Sequence, residues 1–149
     1  MTTTVQIRRA NSEDLDAVLS LLRARGLLLY GLRDHLLTTL VVSQDNLVVG
    51  SAALEMYANG ALLRSVAVVE SMQGHGLGRR LTEAALQLAV ELGAPAVFLL
   101  TNTAGDYFAK LGFARIERAT VPDDVKGSVE FTAACCEGAG VMRKLLTTH

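Results

Sequence analysis

The feature that most constrains this chain is a β-branched run followed at once by a glycine-rich turn and a helix. Residues 66–69 read Val-Ala-Val-Val, and Gly74, Gly76 and Gly78 then stand at alternate positions. Residues 81–90 have the apolar spacing of a buried helical face. Because glycine lacks Cβ, several backbone N–H groups can converge on an anion, and the helix start adds unpaired donors. The stretch therefore predicts a strand, a phosphate-binding loop and a helix.

Two common phosphate loops do not match this stretch. A Walker-type loop ends in Gly-Lys-Ser/Thr, which is absent here. A dinucleotide fingerprint needs Gly-x-Gly-x-x-Gly and an acidic residue about twenty positions on. This chain has Gly-x-Gly-x-Gly instead, and residues 98–100 are Phe-Leu-Leu.

The hexapeptide Gln-Gly-His-Gly-Leu-Gly resembles the Gln/Arg-x-x-Gly-x-Gly/Ala signature of the GCN5-related N-acetyltransferases (GNAT). The resemblance implies that this loop binds the pyrophosphate of acetyl-CoA. The implied cofactor-binding residues are Gln73, Gly74, His75, Gly76, Leu77, Gly78 and Arg79. A tight turn that only packs a helix on a strand is the other reading, because short glycine motifs recur without a ligand.

A second stretch supports the resemblance. Ala104-x-x-x-Phe108-x-x-x-Gly112-Phe113 is similar to the family's Ala-x-x-x-Tyr-x-x-x-Gly-Phe stretch, which implies that Phe108 packs against pantetheine. Residues 98–113 resemble the acetylglutamate-synthase type, and residues 61–68 and 121–131 resemble the small arsenic-resistance acetyltransferases. The resemblance thus implies the amino-acid N-acetyltransferase branch, with arsenic resistance as one activity to consider.

Hydrophobic periodicity and turn residues outline the remaining elements. Strands are predicted at 5–8, 38–42, 47–56, 61–69, 96–100, 113–118 and 141–146, and helices at 12–26, 78–92 and 104–111. Asn11-Ser12 is expected to cap the first helix, and Asn59-Gly60 to form a hairpin turn. Residues 27–37 are a short helix or loop, and residues 121–134 are polar and turn-rich. This order predicts an α/β (α+β) GNAT fold: a mixed central sheet of about seven strands with helices on both faces, in one domain over 1–149.

Composition narrows the partners. Half of the residues are hydrophobic and the net charge is −1, so neither a nucleic-acid-binding surface nor a disordered chain is indicated. No apolar run reaches the length of a membrane span, and residues 1–20 lack the pattern of a secretory signal. We therefore expect neither nucleic acid nor membrane as a partner.

The two cysteines, Cys135 and Cys136, are adjacent. A disulfide between neighbours is strained, so a reducing cytoplasm is expected. Thiolates are soft metal ligands and the resemblance includes arsenic-resistance proteins, but a buried apolar pair is the alternative. No metal cofactor is predicted.

The resemblance implies direct attack of an amine on acetyl-CoA in a ternary complex. Backbone groups of Val66 and Val68 would pair with pantetheine, and an N–H there would polarise the thioester carbonyl. One such donor is worth roughly 3 kcal/mol. Asn102 is a candidate partner for the pantetheine amides, or an ordinary cap for the helix at 104–111.

A charged pair offers candidates for the acceptor site. Counting outward from Asn59-Gly60 places Glu55 opposite Arg64, and alternation places Arg64 on the face of Val66 and Val68. Glu55 could accept the proton of the amine, and the fork of Arg64 suits a substrate carboxylate. A purely structural ion pair is the alternative. Arg33 is a further candidate for substrate binding, against the alternative of an exposed loop residue.

The leaving-group acid departs from the family pattern. The position of the family's tyrosine holds Phe108, and Tyr107 lies about 100° away around the helix. Either Tyr107 protonates the thiolate or solvent does.

The sequence thus predicts an acetyl-CoA-dependent N-acetyltransferase that acts on a small amino acid or related amine. Two alternatives remain: a non-catalytic acyl-CoA-binding sensor domain, and an acetyltransferase for peptide or protein amines. The sequence is also compatible with a homodimer.

Overall fold

The computed structural model describes residues 5–102, 104–132 and 139–146. Its strands are β1 (Val5–Arg9), β2 (Thr39–Gln44), β3 (Leu47–Tyr57), β4 (Gly60–Val68), β5 (Ala96–Thr101), β6 (Ala114–Ile116) and β7 (Gly140–Leu145). Its α-helices are α1 (Leu15–Ala24), α2 (Leu77–Glu91), α3 (Gly105–Ala109), α4 (Asp123–Lys126) and α5 (Val129–Thr132). The hypotheses about Cys135 and Cys136 concern residues outside these ranges.

The strands form one seven-stranded sheet in the order β1-β2-β3-β4-β5-β7-β6. β1 pairs antiparallel with β2, and β2 antiparallel with β3. β4 and β5 run parallel, with Ala61 opposite Val97 and Leu62 opposite Phe98. β7 pairs antiparallel with both β5 and β6. The prediction of a mixed sheet of about seven strands with helices is confirmed.

The chain divides into two compact units. The first contains the chain up to Leu54 and Ser65–Ala85. Its core consists of the buried face of α1 together with residues of the neighbouring strands: Ala10, Leu15, Val18, Leu21, Leu22, Leu32, Val41, Ala53 and Ala67. The apolar spacing that predicted the first helix is the face that packs here.

A 3₁₀ helix over Ser12–Asp14 leads into α1, and it is this turn that Asn11 caps. Asn11 accepts a hydrogen bond from the Glu13 N–H at 2.9 Å, and Asp14 accepts one from the Asn11 N–H at 2.8 Å. Arg8 of β1 donates twice to Asp14, at 2.7 and 2.9 Å. One carboxylate therefore joins the first strand to the first helical turn.

The second unit contains Glu55–Arg64 and the chain from Leu86 onward. Its apolar cluster joins β4, β5 and β7 with the segment around α4: Leu62, Ala96, Phe98, Val121, Val125 and Val141. Partly buried side chains pack against it, among them Tyr57 and Phe131. The description of residues 1–149 as one domain stays a prediction.

One local prediction needs correction. The hairpin turn lies at Ala58 and Asn59 rather than Asn59-Gly60, since β4 already begins at Gly60. The polar, turn-rich stretch from residue 121 onward includes α4 and α5, whose Val125 and Phe131 pack in the apolar cluster of the second unit. The short helix or loop expected at 27–37 contains two short 3₁₀ helices within Leu32–Thr38, separated by a kink at His35.

Candidate functional site

The glycine loop joins β4 to α2 in the first unit. Gly74 has φ 84° and Gly76 has φ 78°, so both adopt the left-handed conformation that glycine tolerates best. A Cβ placed on either residue would meet nothing within 4 Å. The glycines are therefore required by the backbone conformation, and the space beside them is open.

Three hydrogen bonds brace this loop. The Gln73 side chain donates to the Val68 carbonyl at 3.0 Å, and the Arg80 N–H donates to Gly76 at 3.1 Å. Thr82, fully buried, donates to the Gly78 carbonyl at 2.9 Å. The side chain of Gln73 thus ties the loop to the end of β4. We therefore expect Gln73 to contact the cofactor through its backbone rather than its side chain.

The remaining loop residues differ in exposure. His75 is exposed, whereas Leu77 is buried and anchors the first turn of α2. Arg79 is 65% exposed and donates from Nε to Glu83 at 2.9 Å. α2 is 15 residues long, so its N-terminus has the dipole of a full helix. These features are compatible with a diphosphate, because two glycines with open space beside them precede the N-terminus of a full helix, and the exposed Arg79 lies in its first turn.

A buried charged cluster lies in the second unit, where β3 and β4 meet α5. Arg64 donates from Nη1 to Glu55 at 2.9 Å, and its Nε lies 3.4 Å from a carboxylate oxygen of Glu130. The side chains of Arg64 and Glu55 are each 1% exposed, and that of Glu130 is 14% exposed. The Tyr57 hydroxyl donates to the other oxygen of Glu55 at 2.5 Å. The contact predicted between Glu55 and Arg64 is confirmed.

The cluster also perturbs Tyr57. Burial, followed by the hydrogen bond to Glu55 and the negative charge of Glu55, raises the pKa of Tyr57 to about 12. A hydrogen bond with Ser128 and the positive charge of Arg64 act in the opposite direction. Tyr57 is therefore a neutral donor throughout the physiological pH range.

These contacts oppose direct binding of substrate by Arg64 and direct proton transfer to Glu55. A substrate carboxylate would have to compete with Glu55 and Glu130 for a guanidinium that is almost fully buried. Glu55 would exchange protons with an amine only through a neighbour such as Tyr57, since its own side chain is 1% exposed. The roles of Arg64 as anchor and Glu55 as base stay predictions.

β4 is not a regular strand. Ser65 has φ 60°, the left-handed conformation, in the middle of the strand. Side chains alternate between faces only along extended backbone, so the left-handed Ser65 removes the basis for placing Arg64 on the face of Val66 and Val68. The Ser65 carbonyl accepts a hydrogen bond from the buried Ser51 hydroxyl at 2.7 Å.

The residues predicted around pantetheine and the thiol lie on and before α3. Asn102 is exposed, and its alternative role as the helix cap is wrong: α3 is capped at Ala104, whose N–H donates to Thr101. Phe108 is buried and contacts Phe113 edge to face, with ring centroids 5.8 Å apart. Tyr107 is 38% exposed, with its ring edge-on to Phe108 at 5.2 Å.

Arg33, the second candidate for substrate binding, is exposed in the first of the two short 3₁₀ helices within Leu32–Thr38. Sequence reasoning missed Tyr57, Ser128 and Glu130. Tyr57 carried a signal, since it follows Glu55 by two positions on the same strand. Nothing in the local pattern indicated the other two, because they reach the cluster only through the tertiary fold.

Within the described ranges, no group of three or more His, Cys, Asp or Glu side chains could hold a metal ion. None of the helices described there has the length and apolar character needed to cross a membrane.

Several known proteins are similar to this chain in sequence or in structure. The chain is similar to the amino-acid acetyltransferase of Mycobacterium tuberculosis, with 38% identity over 79 residues, covering 52% of this chain and 45% of that protein. It is also similar to the structure of Rv2747 from Mycobacterium tuberculosis in complex with CoA and NLQ. That match has 28% identity and a TM-score of 0.80, and covers 95% of this chain and 99% of that one.

The N-acetylglutamate synthase of Neisseria gonorrhoeae shares the fold, with a TM-score of 0.83 at 24% identity over 99% of this chain and 36% of that one. The chain spans 29% to 59% of the length of the curated relatives it matches first. The model of the acetyltransferase (GNAT) family matches residues 6–113. With the glycine loop, the mixed sheet and this match together, the chain belongs to the acetyltransferase (GNAT) family.

Proposed function

We propose that the protein is an acetyl-CoA-dependent N-acetyltransferase whose acceptor is the amine of a small amino acid or related compound. The observation that carries this proposal is the open loop at the start of α2, where Gly74 and Gly76 have left-handed backbones and no neighbour within 4 Å. The similarity to Rv2747, whose structure contains CoA, supports the donor. The relatives named amino-acid acetyltransferases support the acceptor class.

In this proposal the donor is held mainly by backbone groups. The N–H groups of the loop and of the first turn of α2 would bind the pyrophosphate, and Arg79 adds positive charge. Gln73 and Thr82 keep the loop in the binding conformation by occupying the Val68 and Gly78 carbonyls. Backbone groups of Val66 and Val68 would contact the pantetheine arm, and the roles of Asn102 and Phe108 in donor binding stay predictions.

The proposed reaction is a direct transfer. The neutral amine nitrogen attacks the thioester carbonyl carbon, the C–N bond forms and the C–S bond breaks. The ammonium proton leaves to a base or to water, and the thiolate takes a proton from solvent or from Tyr107. A preorganised N–H at the carbonyl oxygen would lower the barrier by roughly 3 kcal/mol.

Two arginines are candidates for binding the carboxylate of the acceptor. Arg33 is exposed and could reach a substrate carboxylate without giving up an ion pair of the buried cluster. Arg64 would first have to leave Glu55 and Glu130. We therefore place Arg33 ahead of Arg64 as the carboxylate-binding candidate. A cytoplasmic location and a link to arsenic resistance stay predictions.

Gly76→Asp tests the donor site. Its Cβ enters open space, and the left-handed φ of 78° costs a side chain roughly 1–2 kcal/mol, which a domain of ordinary stability can bear. The carboxylate would lie where the pyrophosphate is expected. Calorimetry should show acetyl-CoA affinity falling by at least about tenfold, since repulsion of this kind exceeds roughly 1.4 kcal/mol at short range.

Gly93→Asp is the matched control. Gly93 has φ 83°, and a Cβ there also meets nothing within 4 Å, so the strain and the added charge are the same. Equal affinities for acetyl-CoA in the two variants would remove the loop as the donor site.

A panel of amino acids with acetyl-CoA, followed by release of free thiol, tests the activity. Binding of acetyl-CoA without thiol release from any acceptor in the panel would favour the non-catalytic sensor domain. Thiol release only with peptides would favour the peptide or protein acceptor.

A further inference from the structure

The bend of β4 at Ser65 is unusual, because the residue there has a side chain. Antiparallel strands have φ near −140°, whereas Ser65 has φ 60°. A residue with a Cβ populates this conformation on the order of tenfold less readily than glycine does. The surrounding contacts must therefore hold the bend in place.

On one side, Ser51 holds the bend. Its hydroxyl, with no exposed surface, donates to the Ser65 carbonyl at 2.7 Å. Ser65 itself is 7% exposed. Four residues beyond Ser65, the Val69 N–H donates to the Val49 carbonyl at 2.9 Å. The carbonyl at the bend thus uses a side-chain donor in the interior of the sheet.

On the other side of the bend, two carboxylates hold the side chain of the preceding residue. Arg64 immediately precedes Ser65, and its guanidinium lies between Glu55 on β3 and Glu130 on α5. Burial to 1% exposure makes this grip costly to release, because a lone buried guanidinium lacks the water that would replace its partners.

The segment that supplies Glu130 is itself attached to the hairpin. Asp124 of α4 accepts a hydrogen bond from the Asn59 N–H at 3.0 Å, and Ser128 contacts Tyr57. Val125 is fully buried in the apolar cluster of the second unit. Glu130 is therefore presented to Arg64 by a segment fixed along its length.

We propose that Glu130, acting through Arg64, is a positioning residue that holds the left-handed bend at Ser65 and so orients the backbone groups of Val66 and Val68 for acetyl transfer. Changing φ at Ser65 from left-handed to extended would turn the peptide units on its two sides relative to each other by about half a turn. Arg64 and Glu55 then serve the reaction by fixing β4, and no contact of theirs with substrate is required. This inference rests on the proposed function.

Glu130→Gln tests the proposal, because it keeps the shape and removes the charge that grips Arg64. We expect kcat to fall about tenfold and the KM for acetyl-CoA to change by less than kcat does, because the pyrophosphate loop is untouched and only the pantetheine contacts of Val66 and Val68 shift. The double variant with Ser65→Gly should have a kcat at least about fivefold higher than that of Glu130→Gln alone, because glycine adopts the left-handed conformation without support from its neighbours.

Asp123→Asn is the matched control. It removes the same charge from the same segment, but Asp123 is fully exposed and pairs only loosely with Lys126 at 3.5 Å. Should Glu130→Gln not fold, Glu130→Asp keeps the charge and withdraws it by one methylene, and the same loss and rescue are expected.

Three results would overturn the proposal: equal kcat in Glu130→Gln and Asp123→Asn, no recovery in the double variant, or a loss fully explained by a lower folded fraction in melting curves. The carbon chemical shifts of Ser65 provide a readout that needs no activity. They should move toward extended values in Glu130→Gln, and unchanged shifts would refute the grip. A wild-type protein that fails to turn over acetyl-CoA while these shifts do move would refute the proposed function and leave the grip standing.

Discussion

At the scale of residues, the buried cluster shows how a correct contact can carry a different role. Glu55 and Arg64 do touch, although the hairpin turn lies one residue earlier than the count assumed, and Glu130 and Tyr57 complete the cluster. Two carboxylates flank one guanidinium at 1% exposure. Buried ion pairs of this kind contribute little net stability, although removing one partner is strongly destabilising. The cluster is therefore better suited to fixing geometry than to meeting a ligand.

Tyr107 also belongs to this scale. Its side chain is 38% exposed, and solvent can protonate a departing thiolate, so Tyr107→Phe should keep kcat within about tenfold of wild type. Steady-state kinetics at saturating acetyl-CoA measure this. A loss of about a hundredfold or more with unchanged acetyl-CoA affinity would make Tyr107 the general acid instead.

At the scale of elements, the junction between β1 and α1 is held by one carboxylate. Asp14 accepts hydrogen bonds from Arg8 and from the Asn11 N–H. The hydrogen bond with Arg8 is the largest cause that lowers the pKa of Asp14 below its usual 3.8, followed, against the opposing effect of burial, by the Asn11 N–H and the charge of Arg8. A capping box and a cross-element ion pair thus share the same side chain.

Asp14→Asn should lower the free energy of unfolding by roughly 1–2 kcal/mol at pH 7. Because the folded pKa lies below the unfolded value, the contribution of Asp14 is full above about pH 4 and is lost as pH falls through the folded pKa. Urea titrations across this range measure the difference between wild type and variant. Asp16→Asn, at an exposed position in the first turn of α1, is the control. A difference that persists unchanged to the lowest pH would contradict the assignment.

At the scale of the whole molecule, the donor site should couple to global stability. A ligand that binds only the folded chain stabilises it by about 2.7 kcal/mol at a hundred times its Kd. Acetyl-CoA should therefore raise the Tm of the wild type and of Gly93→Asp, and raise that of Gly76→Asp by about half as much or less, since a tenfold weaker ligand gives about 1.4 kcal/mol at the same concentration. Thermal melts with and without acetyl-CoA check this, and an equal rise in all three proteins would place the binding site away from the loop.

The sequence by itself determined the strand, glycine loop and helix of residues 66–90, the cap at Asn11, and the mixed sheet. These features depend on local properties: the conformational freedom of Gly74 and Gly76, side-chain capping, and apolar periodicity. They could be read without knowing what packs against them. The family could be recognised from the loop motif for the same reason, because the loop is a contiguous piece of the chain. The family model that matches residues 6–113 agrees with that resemblance.

Only the tertiary structure decided the left-handed bend at Ser65 and the arrival of Glu130 at Arg64. No local preference favours a positive φ at a serine within a strand, so distant partners must impose it. Glu130 belongs to α5, in a polar and turn-rich segment, and the neighbouring Phe131 packs against the apolar cluster of the second unit. A buried charge must find a partner, but which residue supplies that partner depends on how the whole chain folds.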